Sequence, residues 1–267
     1  MSKDTNLRRR FSIALVNYKS FEVTKICLDL IKKAVNVSET PVWVVDNNSN
    51  DESLDYLRSL EWINLIERKP SEKEVGFMAH GRALDLALEK TTTDFILLMH
   101  TDTFIYDSSI LDILLEKCVA DDKIVAVGCM EPVCRSIPHT IVRTAMRSVK
   151  YYFRKLKVTL GISTRRPKPH YETHMKSFCA LWNVNTIKRH GMTFSMGNEI
   201  PGYAMQDQLR KLDYKFVAIP PREMFSYLDH VEKGTASEMA GVRLKQRKAD
   251  KYQKIIEKTK AVQNADL

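Results

Sequence analysis

Asp94-Phe-Ile-Leu-Leu-Met-His-Thr-Asp-Thr-Phe-Ile-Tyr106 is the stretch on which the fold turns. Phe95 to Met99 is an apolar run with no polar interruption, which suits a strand buried on both faces, as in a parallel sheet. The run stops at His100-Thr101-Asp102-Thr103. A carboxylate at the C-terminal end of a buried parallel strand lies where open α/β sheets bind ligands. Asp102 would equally serve as a turn cap, so its role has to be weighed against the rest of the chain.

Before this stretch, strands and helices alternate. Phe11 to Val16 reads as a strand ending in Asn17-Tyr18-Lys19-Ser20, with Ser20 placed to cap a helix. Val23, Ile26, Cys27, Leu30 and Ile31 then recur at helical spacing. Val42 to Val45 is a second strand that runs into the loop Asp46-Asn-Asn-Ser-Asn-Asp51, and a short helix and a third strand at 63–66 follow. Gly76-Phe77 opens a helix reaching Lys90. After the central strand, Ile110, Leu111, Leu114, Leu115 and Cys118 mark another helix, and 124–127 a further strand. This order predicts a mostly parallel sheet covered by helices, with Asn17, Asp46 and Asp102 on one edge. The second half is less regular. Strands are expected at 178–182 and 215–219, the latter ending at Pro220-Pro221, with a loop at 191–202, a helix around Gln206 to Arg210, and His230 in a late loop. A charged helix is expected over 238–267.

The 267 residues suffice for one large domain, here read as a regular half over 11–130 and a less regular half over 131–235. With 44% hydrophobic and 28% charged residues the composition is that of a soluble globular protein. No apolar run approaches a membrane span of about 18 residues or a signal-peptide core, so a cytoplasmic location is expected. Five cysteines with no C-x-x-C pair fit that expectation, and Cys27 and Cys118 fall on apolar helix faces as buried thiols. The net charge of +9 is local. From Pro132 to Tyr171 there are ten Lys or Arg and no Asp or Glu, which points to an anionic partner.

Several chemistries are missing. There is no P-loop, no G-x-G-x-x-G after the first strand and no G-x-S-x-G elbow. His170 and His174 sit in H-x-E-x-H, which is not the H-E-x-x-H zinc motif.

Taken in order, Ser12-Ile-Ala-Leu-Val-Asn-Tyr18, Val44-Val-Asp-Asn-Asn-Ser-Asn-Asp51, Gly76-Phe77, Leu97-Leu-Met-His-Thr-Asp-Thr103, Gly202-Tyr-Ala-Met-Gln-Asp-Gln-Leu-Arg210, Tyr214 to Pro220 and His230 resemble a family 2 glycosyltransferase of the GT-A fold. The resemblance spans roughly residues 11–235. It implies a Rossmann-like, mostly parallel sheet flanked by helices, carrying a basic helical insertion at 132–171. It implies sugar transfer from a nucleotide-sugar donor, taken to be a UDP-sugar, to the hydroxyl of a carbohydrate or lipid-linked acceptor, with inversion. A cell-surface polysaccharide or glycolipid product would fit. Val16, Asn17, Tyr18 and Asp46 would hold base and ribose. Asp46 can accept a uracil imide N–H, or simply cap the 47–51 turn. Arg82 matches a nucleotide-contacting position, or is a solvated helix residue, and His80 could face the same cleft.

The family's D-x-D motif reads His100-Thr101-Asp102 here. Asp102 keeps the carboxylate that binds Mn²⁺ or Mg²⁺, His230 matches a histidine that completes such a site, and His100 and Thr101 are left for ribose or phosphate. The general base of inverting members corresponds to Asp207 in Gln206-Asp207, where the usual acidic neighbour is neutral; a helix cap is the plainer reading. A nucleotidyltransferase of similar fold would carry a glycine-rich, lysine-containing loop where Asn17-Tyr-Lys-Ser20 stands, and a non-catalytic polyanion or membrane module would leave the sheet-edge residues idle. Nucleic acid is not an expected partner. Within 132–171, the residues Ile141, Val142, Ala145, Met146, Val149, Tyr152, Phe153 and Leu156 follow helical spacing, with Arg143, Arg147, Lys150, Arg154 and Lys157 between them. An ordinary packed helix, peripheral contact of 141–157 with the inner membrane face, and a clamp for a soluble anionic acceptor all remain open.

Overall fold

The apolar runs of the first half become the strands of one sheet. The structure, a computed structural model, describes residues 11–74, 76–162, 169–231, 253–254 and 256–259. β1 (Phe11–Asn17), β2 (Val42–Asp46), β3 (Asn64–Glu67) and β4 (Phe95–His100) alternate with α1 (Phe21–Ala34), α2 (Glu52–Arg58) and α3 (Phe77–Lys90). After β5 (Thr103–Ile105) come α4 (Ser109–Val119), β6 (Ile124–Gly128), α5 (Ile137–Thr159), β7 (Cys179–Asn183) and α6 (Val184–Arg189). α7 (Tyr203–Lys211), β8 (Lys215–Ala218), α8 (Pro221–Tyr227) and β9 (Leu228–His230) complete the order. Most of the C-terminal helix expected from 238 lies outside the described residues.

The main sheet has seven strands in the order β3-β2-β1-β4-β7-β6-β8. β1, β2, β3 and β4 pair in parallel, and β7 runs antiparallel between β4 and β6. Each central strand is apolar on both faces because both are covered. Ile13, Leu15, Leu97 and Met99 join α1 and α4 in one core, where Cys27 and Cys118 are buried. Ala14, Ile96 and Leu98 join α3, α6 and α7 in the other. Parallel register sets Asn17 opposite Asp46 and Val16 opposite His100, so the polar strand ends share one edge.

Two features differ from the sequence reading, and one reading left open is narrowed. His230 lies in a short strand, β9, that pairs antiparallel with β5 in a second sheet, with Thr103 opposite His230. Pro220-Pro221 does more than end a strand: it starts α8, where proline in the first turn supplies a helical φ and lacks only an N–H that has no intrahelical partner. The helix of the basic segment is not an ordinary packed one, because α5 has no buried residue.

The sheet edge is fixed by a buried polar hub. Asn17 Nδ2 donates to Asp46 Oδ1 at 2.8 Å, to Ser53 Oγ at 2.9 Å and to Ser49 Oγ at 3.1 Å. Asn17 Oδ1 accepts from Thr24 Oγ1 at 2.8 Å and from Ser20 Oγ at 3.2 Å. One carboxamide thus ties the end of β1 to the start of α1, to loop 46–51 and to α2. Truncating it would leave buried partners without hydrogen bonds, each costing about 1–3 kcal/mol. Asn17→Ala is therefore expected to lower stability by about 2–4 kcal/mol, read as the shift of a urea unfolding midpoint at unchanged slope. Asn17→Asp should rescue little, because it sets a second carboxylate against Asp46.

Candidate functional site

The β5–β9 pairing brings together residues far apart in sequence. Val231 N–H donates to Asp102 O at 2.9 Å, which clips the end of β9 onto the turn after β4. His230 Nε2 then lies 3.3 Å from Asp102 Oδ1, and His100 Nδ1 lies 3.8 Å from the same oxygen. Their ligand-capable atoms all fall within 4.8 Å of one another, making the group His100, Asp102 and His230 the candidate metal centre. Bonds of about 2.1 Å to one ion put adjacent ligands about 3–4 Å apart, a range that both histidine contacts to Asp102 Oδ1 already meet.

The surroundings orient these ligands. His230 Nδ1 is 2.9 Å from Pro132 O, and a carbonyl only accepts, so the proton sits on Nδ1 and Nε2 faces Asp102. The Phe178 ring stacks on His230 with centroids 4.7 Å apart. His100 Nε2 is 2.9 Å from Ser177 Oγ. Burial pushes the His100 imidazole down to about 3, against the pull of Asp102, so it is a neutral nitrogen donor at pH 7. Burial by itself would raise the Asp102 carboxyl, but the adjoining His230 ring and, after it, His100 outweigh it and hold Asp102 below the usual range. His80 of α3 sets its ring edge-on to His100 at 5.4 Å, and burial lowers it to about 4. Its Nε2 is buried with no hydrogen-bond partner among the described residues. This leaves a polar atom beside the His-Asp-His cluster whose hydrogen bond a ligand would supply.

The other expected residues divide into framing and open groups. Asn17 is wholly buried as the hub. Asp46 is 1% exposed and accepts from Asn17 Nδ2 and from both the hydroxyl and the N–H of Ser49. In this geometry it shapes loop 46–51 and does not present its carboxylate to the cleft. Val16 and Tyr18 are half-buried and Thr101 is buried. Arg82 pairs with Glu74, which also binds Arg68, and Arg68 Nη1 donates to Asn47 Oδ1 at 3.0 Å. This chain of charges fastens the rim beside Asp46.

Asp207 stands apart from the cluster, with its side chain 54% exposed. His174 Nε2 lies 2.9 Å from its Oδ1, and Arg210 Nη1 donates to the same oxygen at 3.1 Å. The His174 ring stacks on Tyr203 with centroids 4.1 Å apart. Gln206 is buried and brackets the Met175 backbone, accepting from its N–H at 2.8 Å and donating to its carbonyl at 3.1 Å. Sequence reasoning missed Ser177, His174 and Tyr203 as site residues. The only sign of His174 was the H-x-E-x-H pattern, and its partner proves to be Asp207, outside that pattern.

Residues 12–179 match the model of Glycosyl transferase family 2. The chain belongs to that family. No curated protein matches it in sequence. Among solved structures, this family 2 chain is similar to the mannosyltransferase PcManGT of Pyrobaculum calidifontis in complex with GDP-Man and Mn²⁺, with a TM-score of 0.54 and 16% identity. That match covers 79% of this chain and 55% of the other, so the family 2 chain spans little more than half of that protein. It is also similar to glucosyl-3-phosphoglycerate synthase of Mycobacterium tuberculosis in complex with Mn²⁺, UDP and glucosyl-3-phosphoglycerate. Here the TM-score is 0.51 and the identity 15%, over 89% of this chain and 79% of the other. These likenesses establish the GT-A architecture of the family 2 chain.

The geometry of the cluster makes a direct prediction. Asp102 contributes its one carboxylate, so Asp102→Asn should weaken Mn²⁺ binding by more than about tenfold in calorimetric titration. His100→Asp places a second hard oxygen donor there and should bind Mn²⁺ at least as tightly as the unaltered chain. Equal Mn²⁺ affinity for Asp102→Asn would remove this cluster as the metal site.

Proposed function

We propose that the chain transfers a sugar from a UDP-sugar to an acceptor hydroxyl with inversion, using Mn²⁺ or Mg²⁺. The observation that carries this reading is the His100-Asp102-His230 cluster at the C-terminal edge of the sheet, on the strand beside the one that leads into the Asn17–Asp46 hub. Family membership and the nucleotide and Mn²⁺ named for both structural neighbours support it.

The roles follow from placement. Asn17 and Asp46 fix loop 46–51 against β1, and the base and ribose lie on the surface that this loop, Val16 and Tyr18 present. Asp102 and His230 would hold the metal, with His100 as third donor or as a contact to phosphate beside Thr101. A bound divalent ion supplies positive charge against the diphosphate leaving group. Arg82 and Arg68 border the same rim and add cationic character near the donor. The acceptor oxygen attacks the anomeric carbon as the bond from that carbon to the diphosphate oxygen breaks. The hydroxyl proton passes to the Asp207 carboxylate, and the nucleoside diphosphate departs with the bonding electron pair. His174 and Arg210 orient Asp207, and Gln206 locks the segment bearing His174 onto α7. A carbohydrate or lipid-linked acceptor enters from the Asp207 side.

Two measurements test this reading. Titration with UDP, GDP, ADP and CDP, each with and without Mn²⁺, should show metal-dependent binding with UDP the tightest. General-base catalysis contributes about 10² to 10⁴ in rate, so Asp207→Asn should lower kcat by about that factor and leave UDP affinity nearly unchanged. Unaltered turnover, or a product of retained anomeric configuration, would remove Asp207 as the base.

A further inference from the structure

The 23-residue α5 is turned the wrong way round for a helix that packs on its own protein. A surface helix normally lays its apolar stripe on the core and shows its charges to water. Here the charged side faces inward. Arg143 Nη1 donates to Glu131 Oε1 at 3.0 Å, and Arg147 Nη1 donates to Glu172 Oε1 at 2.9 Å. One turn further on, Tyr151 packs edge-on to His170 at 5.8 Å. Arg143, Arg147 and Tyr151 are spaced by four and mark one side of the helix, the side against the body of the protein. Val142, Met146, Val149, Phe153 and Leu156 form the opposite stripe and are 55–69% exposed, as is Tyr152 beside them.

An outward stripe of large apolar residues needs something to cover it. Its charge indicates what. No Asp or Glu occurs from 132 to 171, while Lys150 and Lys157 are exposed beside the stripe, and Lys157 Nζ sits 4.7 Å from the Phe153 ring centroid. A second copy docked here would set lysines against lysines. A layer of anionic headgroups over hydrocarbon matches both features, since apolar side chains enter the acyl boundary and lysines reach the phosphates. No helix among the described residues is long and apolar enough to cross a membrane, so the contact lies in the membrane plane.

We infer that α5 is an interfacial helix that docks the chain on an anionic lipid bilayer through its Val142-to-Leu156 stripe and the flanking Lys150 and Lys157. This assignment stands independently of the sugar-transfer reading. It also corrects the set expected from sequence: Arg143 and Arg147 are held inward by Glu131 and Glu172 and do not belong to the lipid contact.

The test is co-sedimentation of the full chain with vesicles of phosphatidylglycerol and phosphatidylcholine, and with vesicles of phosphatidylcholine alone. Binding is expected only to the anionic vesicles and should weaken as NaCl rises. Replacing Lys150 and Lys157 by Gln should lower the partition coefficient by about 25-fold, about fivefold per lysine. Val149→Ser with Phe153→Ser should lower it by at least about tenfold even at low salt. These side chains are exposed, so each variant should keep the unaltered unfolding midpoint and circular dichroism, separating lost docking from lost fold. No pelleting with anionic vesicles, equal pelleting with both vesicle types, or full binding by the lysine variant would overturn the inference. A lipid-free dimer in sedimentation equilibrium that Val149→Ser with Phe153→Ser dissolves would also overturn it, assigning the stripe to a second copy.

Discussion

The pairing of Thr103–Ile105 with Leu228–His230 is the constraint on which the candidate metal site depends. Asp102 sits in the turn just after β4, and a lone buried carboxylate there would be costly. The small antiparallel sheet supplies its partner by bringing in His230 from the far end of the fold. The clip Val231 N–H to Asp102 O, the hydrogen bond from His230 to Pro132 O and the stack on Phe178 then leave the His230 ring little freedom. Ligands fixed in this way need little reorganisation to take up an ion.

The edge beside it rests on a different device. Asn17 and Asp46 are polar groups in a nearly solvent-free place, and they are tolerated because each satisfies the other and their serine and threonine neighbours. A resemblance to nucleotide-contacting positions and a structural role in the loop are compatible. Residues that shape the backbone against which a nucleotide lies are constrained in type without exposing their own side chains.

The segment 172–178 connects the parts. Glu172 binds Arg147 of α5, His174 meets Asp207, Met175 is bracketed by Gln206, Ser177 touches His100, and Phe178 covers His230. One short stretch leading into β7 therefore touches the inferred membrane helix, the proposed base and the metal cluster.

The sequence alone determined the alternation of strands and helices over the first half, the inward faces of α1 and α4, and the polar edge formed by Asn17, Asp46 and Asp102. These follow from local periodicity and from the parallel order that alternation imposes. It also marked His230, though only through its likeness to a family pattern. Tertiary structure decided what periodicity cannot encode. Residues 228–230 carry too short a pattern to read as a strand, and only their pairing with β5 makes them one and sets His230 against Asp102. Nothing local ties His174 to Asp207 or Ser177 to His100, because those contacts join segments remote in sequence. The amphipathic pattern of α5 was plain in the sequence, but a pattern names two faces without saying which is inward. Glu131 and Glu172 fixed that by holding Arg143 and Arg147, and so turned the apolar stripe toward the outside.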